Sequence, residues 1–132
     1  MIVVMNDTDS YRLQALVELA ASFPEPLTAA EIARRRRVPS RFLARLLGEL
    51  AREGLVATTR GPRGGVRLAT RPEEVALASL VRPEPVPGTG GVAVKWLARR
   101  LASAREGALE KVTLIDLLKA EREAKAAVDF DI

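Results

Sequence analysis

The chain of 132 residues contains neither cysteine nor histidine. These absences exclude disulfide bonds, thiolate nucleophiles and imidazole bases, and they remove the ligands that most transition-metal sites require. Aromatic residues make up only 4% of the sequence, although hydrophobic residues make up 48%. Any core must therefore be mainly aliphatic. No arrangement of nucleophile and base can be assembled, so we expect no enzymatic activity and no cofactor.

Long apolar runs are also missing. The N-terminal "MIVVM" is too short for the hydrophobic region of a signal peptide and lacks a basic flank, and no run approaches the length of a membrane span. We therefore expect a cytoplasmic protein with no membrane partner. The length suits one domain with a real core, or a small domain with an oligomerisation arm.

Positive charge is concentrated in the middle of the chain. Residues 28–71 hold eleven arginines against three glutamates, a net charge of +8, while the remainder holds ten basic and fourteen acidic residues, a net charge of −4. Such polarisation is typical of a segment that binds a polyanion. The alternative is an arginine-rich surface that is simply solvated.

Two short helices are predicted within this basic segment, after a first helix over residues 7–22 with Asp7 to Ser10 as candidate caps. In "LTAAEIARRRRV", Thr28 and Glu31 have the spacing of a capping box. In "SRFLARLLGELAREG", the leucines form one apolar face, Ser40 is a candidate cap, and Gly54 fits the left-handed position after the helix. Two helices joined by so short a turn form a helix-turn-helix.

A β-hairpin should follow, because "LVATT" and "VRLA" read as strands on either side of "RGPRGG". Three helices and a hairpin are the order of a winged helix-turn-helix. The stretch does not match a phosphate-binding loop, whose glycine-rich turn leads into a helix that begins Gly-Lys-Ser/Thr. We expect "RPEEVALASLV" to form one further short helix.

Double-stranded DNA is the predicted partner of this surface. The first residues of the second helix of a helix-turn-helix approach base edges, and arginine pairs well with guanine and with phosphate. The predicted DNA-binding residues are Arg34, Arg37, Ser40, Arg41, Arg45, Arg60, Arg63, Gly64 and Gly65. For Ser40, capping the helix is at least as good an explanation, and the basic run at residues 34–37 also complements a helix dipole.

The C-terminal third reads as an oligomerisation arm. We divide the chain into a winged domain (1–82), a linker rich in proline and glycine (83–91), and a segment (92–132) with a long helix and a last helix capped by Thr113. The long helix carries apolar residues spaced three and four apart, as in paired helices: Val94, Leu97, Leu101, Ala104 and Ala108. This seam predicts a homodimer; the alternative is packing onto the winged domain of the same chain.

These segments together resemble the Rrf2-type bacterial transcription regulators over nearly the whole chain. The resemblance is carried by "YRLQALVELA", by the helix-turn-helix from "LTAAEIARRRRV" to "REGLV", by the wing "RGPRGGVRLA", and by "WLARRLASAREGALEKVTLIDLL". It implies a homodimer with crossed long helices and two winged modules on a roughly palindromic operator. It also places Ser40 and Arg41 at the start of the recognition helix.

The sequence departs from the family's pattern in two places. Val66 stands where the family commonly has an aromatic residue. Many members also hold an iron–sulfur cluster with three cysteines before the long helix, whereas this chain has "RPEPVPGTGGVAVKW" there. A cluster held by its own cysteines is excluded. A small-molecule effector, a partner protein or no input at all are the remaining possibilities.

The sequence therefore predicts a mainly α-helical winged helix-turn-helix protein with a small β-hairpin and a long dimerisation helix. Its predicted function is that of a sequence-specific DNA-binding regulator, more readily a repressor than an activator. The alternative is a winged-helix module that binds protein and not DNA.

Overall fold

The computed structural model describes residues 5–81 and 88–130, and for residues 129 and 130 only the backbone. Seven main elements follow one another: α1 (Asp7–Ser22), α2 (Ala29–Arg36), α3 (Ser40–Arg52), β1 (Val56–Thr59), β2 (Gly65–Leu68), α4 (Gly91–Leu109) and α5 (Leu114–Phe130). The predicted order of three helices and a hairpin is confirmed. Most of the proposed linker, residues 83–87, lies outside the described residues.

The ends of α1, α2 and α3 follow local sequence rules, with two corrections. The side chain of Asn6 caps α1 by accepting from the amide of Asp9, so the predicted cap within residues 7–10 was wrong. The capping box of α2 is confirmed, with reciprocal 3.1 Å bonds between Thr28 and Glu31. Ser40 is the first residue of α3 and makes no capping bond, because Pro39 occupies the cap position.

The wing is a two-stranded antiparallel hairpin in which Val56 pairs with Leu68 and Thr59 with Gly65. The hairpin is joined to the helix-turn-helix by Leu27, which precedes α2. The amide of Leu27 donates to the carbonyl of Val66 at 2.8 Å, and its carbonyl accepts from the amide of Val66 at 2.7 Å. This exchange joins the second strand of the wing, close to its turn, to the residue that leads into α2.

The segment after the wing corrects another prediction. Where one short helix was expected, two 3₁₀ helices form, Pro72–Glu74 and Leu77–Ser79. Between them the backbone is extended, because Leu77 donates to the carbonyl of Val112 and Leu114 donates to that of Val75. Hydrogen bonds to residues 35 and 39 positions further along the chain therefore override the local preference for a helix.

The hydrophobic core is aliphatic, as the composition predicts. Its most deeply buried large members come from α1, α2, α3, β2 and α5: Leu16, Leu19, Ile32, Leu43, Leu46, Leu50, Leu68 and Leu114. Each contributes on the order of 1.5–3 kcal/mol by leaving water. The C-terminal helix α5 thus packs on the winged module, mainly against α1.

The long helix α4 differs from every other helix, since none of its residues is buried. Val94, Leu97 and Leu101 are 42%, 50% and 63% exposed, and Ala104 and Ala108 are exposed too. Its apolar seam therefore has no cover among the described residues of the chain.

Candidate nucleic-acid interface

The four arginines at residues 34–37 divide into two groups. Arg34 and Arg37 are exposed, and Arg37 ends α2 in the left-handed conformation with φ 55° and ψ 43°. Arg36 instead turns inward, and its side chain is only 14% exposed. Arg35 is also exposed, at 44%, but its Nη1 lies 3.5 Å from Glu18. Arg34 and Arg37, the predicted DNA-binding residues in this run, are thus the exposed arginines for which no ion pair is recorded among the described residues.

Arg36 is held by two carboxylates from other helices. It donates bonds of 2.9 and 2.8 Å to the two oxygens of Glu121 on α5, and its Nε lies 2.9 Å from Glu18 on α1. Burial lowers the pKa of Arg36, but the bonds and charges of Glu121 and Glu18 outweigh that effect and raise the pKa. Arg36 therefore serves the fold and is unsuited to binding phosphate.

The recognition helix α3 is strongly one-sided. Leu43, Leu46 and Leu50 face the core, while Ser40, Arg41 and Arg45 are exposed at its N-terminal half. Because the side chain of Ser40 does not cap the helix, its hydroxyl is available to a ligand.

An aromatic contact supports one of the exposed arginines. The guanidinium of Arg45 lies 5.2 Å from the centre of the Phe42 ring, within the range of a cation–π interaction. The Phe42 ring is met edge-on by Tyr11 of α1, at 5.4 Å and 83°. The side chain of Arg45 is therefore oriented before any ligand arrives.

Arg60 and Arg63 are exposed in the turn of the wing, where the following two glycines are required by the backbone. A Cβ on Gly64 would lie 2.2 Å from the carbonyl oxygen of Thr59, and one on Gly65 would lie 2.5 Å from that of Leu27. Gly65 also has a φ of +152°, which other residues rarely adopt. Both glycines therefore have a structural reason that is independent of DNA.

The six predicted interface arginines are all exposed. For Arg34, Arg37, Arg41, Arg45, Arg60 and Arg63, the structure records no ion pair with any described residue. Contacts of α2 with α3, of α3 with β1, and of Leu27 with Val66 join the elements that carry them into one module. The charges of these six arginines are thus available to bind a polyanion, because no ion pair within the described part of the chain neutralises them.

Arg12 is a residue that the sequence analysis missed. It lies on α1, is 2% exposed, and its Nη2 donates to Glu53 at the end of α3. Helical spacing was the available signal, because Arg12 falls four residues before the buried Leu16, on the core-facing side. Its partners are two of the three acidic residues in the basic segment, Glu49 and Glu53.

The chain offers no suitable ligands for an iron–sulfur cluster. Such clusters need thiolates, sometimes with histidine, and the sequence has neither residue type. Among the described residues, no group of three acidic side chains is placed to hold a metal ion. In the same part of the chain, no helix has the length and apolar content needed to cross a bilayer.

Comparison with known proteins agrees with this architecture. Residues 5–84 match the model of the Rrf2 family, described as "Iron-dependent Transcriptional regulator". The putative HTH-type transcriptional regulator slr0846 of Synechocystis sp. is 34% identical over 131 residues, covering 89% of this chain and 88% of that protein.

Two other relatives match over a shorter segment. A putative HTH-type transcriptional regulator of Aquifex aeolicus is 34% identical and an rrf2-like one of Rhodobacter capsulatus is 43% identical, over 60% and 54% of this chain. These matches cover 55% and 51% of the relatives, so the chain spans about half of their length.

Solved structures share the fold over almost the whole chain. The T. potens IscR structure superposes with a TM-score of 0.80 at 28% identity, covering 92% of this chain and 90% of that one. CymR of B. subtilis, titled a global cysteine regulator, also superposes at 0.80, with 24% identity over 90% of this chain and 98% of its own. The helix-turn-helix, the hairpin and the family match lead to one conclusion: this chain belongs to the Rrf2 family of winged helix-turn-helix, DNA-binding transcriptional regulators.

Proposed function

We propose that the chain binds an operator as a homodimer, with α3 in the major groove and the wing against the backbone. The observation that carries this proposal is that the six predicted DNA-binding arginines, on α2, α3 and the wing, are exposed and have no ion pair recorded with any described residue. Exposed cations of this number create a field that attracts DNA.

The N-terminal half of α3 recognises the bases. Arg41 lies in the first turn, and the ring of Phe42 supports Arg45 one turn later. Each can donate two hydrogen bonds to a guanine in the major groove, and a good pair of this kind discriminates by about 1–3 kcal/mol. Ser40 is short, and its hydroxyl suits a phosphate next to the groove.

Four arginines bind the phosphates on either side of the groove: Arg34, Arg37, Arg60 and Arg63. Gly64 and Gly65 allow the turn that brings Arg60 and Arg63 to the DNA, because a Cβ at either glycine would meet the protein's own backbone. Contacts of this kind set register and affinity without reading the sequence.

Dimerisation takes place through α4. Its seam of Val94, Leu97, Leu101, Ala104 and Ala108 is exposed in the single chain, and a second copy of the same seam would cover it. A two-fold dimer would then present two copies of α3 to the two halves of a palindromic operator.

The regulator works without an iron–sulfur cluster, because its sequence supplies no thiolate. We assign it a repressor role, since an occupied operator excludes other proteins without a further contact surface. It acts in the cytoplasm, where bacterial DNA is found. Three inputs are open in place of a cluster: a small-molecule effector, a partner protein, or none. Thermal-shift screening of metabolites tests the first, because a specific ligand raises the melting temperature.

Fluorescence anisotropy with labelled duplexes tests DNA binding. If about six to ten phosphates are neutralised per dimer, affinity should fall roughly 10³–10⁵-fold between 50 and 200 mM salt. The variant with Arg60→Ala and Arg63→Ala should bind every duplex more weakly, with a smaller salt dependence. Arg41→Ala should also narrow the difference between a selected operator and a scrambled duplex.

Arg122→Met on α5 is the matched control, because it removes an exposed charge outside the proposed interface. Absence of duplex binding at low salt would favour the alternative of a protein-binding winged module. Normal binding by both interface variants would overturn the assignment of these residues.

A further inference from the structure

Arg12 carries a permanent charge in a position that is 2% exposed. Its Nη2 donates to Oε2 of Glu53, whereas Nη1 lies 3.9 Å from Glu49, too far for a hydrogen bond. Nε and Nη1 are buried without a hydrogen-bond partner. A buried charge with so few bonds contributes little net stability, and an apolar side chain of similar size often stabilises more. Its presence calls for another explanation.

The partners of Arg12 lie at one end of the recognition helix. Glu49 is in the last turn of α3, and Glu53 follows its final residue. Their side chains are 31% and 40% exposed, so both carboxylates also reach water. Removing Arg12 would therefore leave neither of these two carboxylates buried without a partner.

The other end of α3 is held by the residue next to Arg12. Tyr11 packs edge-on against Phe42, in the first turn of α3. Phe42 and Glu53 are eleven residues apart, which is about 16 Å along a helix axis. Two polar or aromatic contacts from adjacent residues of α1 thus hold α3 at its two ends. Together with the buried leucines of α3 and its contacts with α2 and β1, they restrict the tilt and the rotation of the helix.

We propose that Arg12 is a positioning residue for base recognition: through Glu53 and Glu49 it fixes the orientation of α3, and hence where Arg41 and Arg45 meet the bases. This inference rests on the proposed DNA-binding function. Bidentate pairing with a base requires near-linear hydrogen bonds over a narrow range of distances. Contacts to phosphate tolerate more displacement, since they depend mainly on charge. Loss of Arg12 should therefore reduce specific binding more than non-specific binding.

The test compares Arg12→Met with wild type and with Arg122→Met, which removes the same charge from the exposed surface of α5. Two probes are used: a short duplex that the wild type selects from a random-sequence pool, and a scrambled duplex of equal length and composition. The ratio of the two affinities should fall about 25- to 10⁴-fold in Arg12→Met, the effect of one lost base contact in each subunit of the dimer. It should be unchanged in Arg122→Met, while Arg12→Lys should lie between Arg12→Met and wild type.

The melting temperature separates positioning from simple stability. Arg12→Met should melt close to the wild type or above it, and the affinity ratio should fall even far below the melting temperature. An unchanged affinity ratio would overturn the inference and leave the proposed function intact, whether the two affinities stay the same or fall equally. If the wild type itself shows no preference between the probes, the proposed function fails first.

Glu53→Gln keeps the test decisive if Arg12→Met does not fold. This substitution acts at a side chain that is 40% exposed, so it should be tolerated, and it removes the charge that faces Arg12. A reduced ratio in folded Glu53→Gln supports the inference, and a wild-type ratio contradicts it.

Discussion

The ion pair between Arg36 and Glu121 links two parts of the chain that lie 85 residues apart, and its strength can be measured. We consider Glu121→Gln, which keeps the size of the side chain and one carbonyl oxygen but removes the charge. Two short bonds join the residues, and their side chains are 14% and 28% exposed. The pair is therefore half-buried, and its exposure to solvent lies between that of a surface ion pair and that of an interior one.

The expected magnitude follows from this position. Hydrogen bonds to charged groups contribute about 1.5–3 kcal/mol, whereas exposed ion pairs contribute about 0–1 kcal/mol because solvent screens them. For Glu121→Gln we expect a loss of about 1–2 kcal/mol. With an unfolding entropy of roughly 2 cal/mol/K per residue, this corresponds to a melting temperature lower by about 4–7 °C.

The pH dependence gives a second measurement of the same pair. The hydrogen bond from Arg36 lowers the pKa of Glu121 below its ordinary value of 4.5, against the opposing effect of burial. A carboxylate with a depressed folded pKa stabilises above its unfolded pKa and loses this contribution as the pH falls through the folded value. The gap between wild type and Glu121→Gln should thus be full at pH 7 and shrink below about pH 4.5.

Thermal denaturation followed by circular dichroism, at one fixed protein concentration, provides the assay. Glu74→Gln is the matched control, because its ion pair with Arg71 is exposed and should contribute nothing measurable. Equal melting temperatures for Glu121→Gln and wild type, or a gap that persists unchanged in acid, would refute the role of this pair.

Two further perturbations have equally definite outcomes. Changing Leu97 and Leu101 together to Glu should convert a dimer into a monomer in light scattering, while Val128→Glu on α5 should not; a dimer that survives the double change would exclude the α4 seam. Gly65→Ala should lower the free energy of unfolding by roughly 1–3 kcal/mol in urea titrations, because the new Cβ meets a carbonyl oxygen 2.5 Å away at a φ of +152°. Gly48→Ala, which meets no atom within 4 Å, should instead stabilise by up to about 1 kcal/mol, and equal effects at both positions would contradict this reasoning.

The sequence predicted those features of the fold that depend on neighbouring residues. The capping box of Thr28 and Glu31, the left-handed Gly54 and the apolar face of α3 each involve side chains within one or two helical turns. The hairpin could also be predicted from the sequence, because its turn residues and its strands are contiguous. These local rules sufficed to order the elements of the winged helix.

Features that depend on distant residues were not predicted. The segment after the wing forms two 3₁₀ helices because Val75 and Leu77 pair with Val112 and Leu114. The inward orientation of Arg36 depends on Glu121, and the buried position of Arg12 depends on Glu53. In each case the deciding partner lies more than thirty residues away, where periodicity carries no information.

The division of the arginines also limits how the charge of the central segment can act. Arg36 and Arg71 are paired with carboxylates, so the net charge of residues 28–71 overstates what DNA can reach. Six exposed arginines per chain correspond to about twelve per dimer, and each neutralised phosphate contributes about 0.9 to the slope of log affinity against log salt. If only these six arginines bind phosphate, the slope should not exceed about 11. A steeper slope would require other cations, such as the exposed Arg35 and Arg52. A slope of about 5 to 9 would mean that some of the six arginines remain solvated in the complex. Single alanine substitutions would identify them, since the loss of an arginine that contacts phosphate should lower the dimer's slope by about 2.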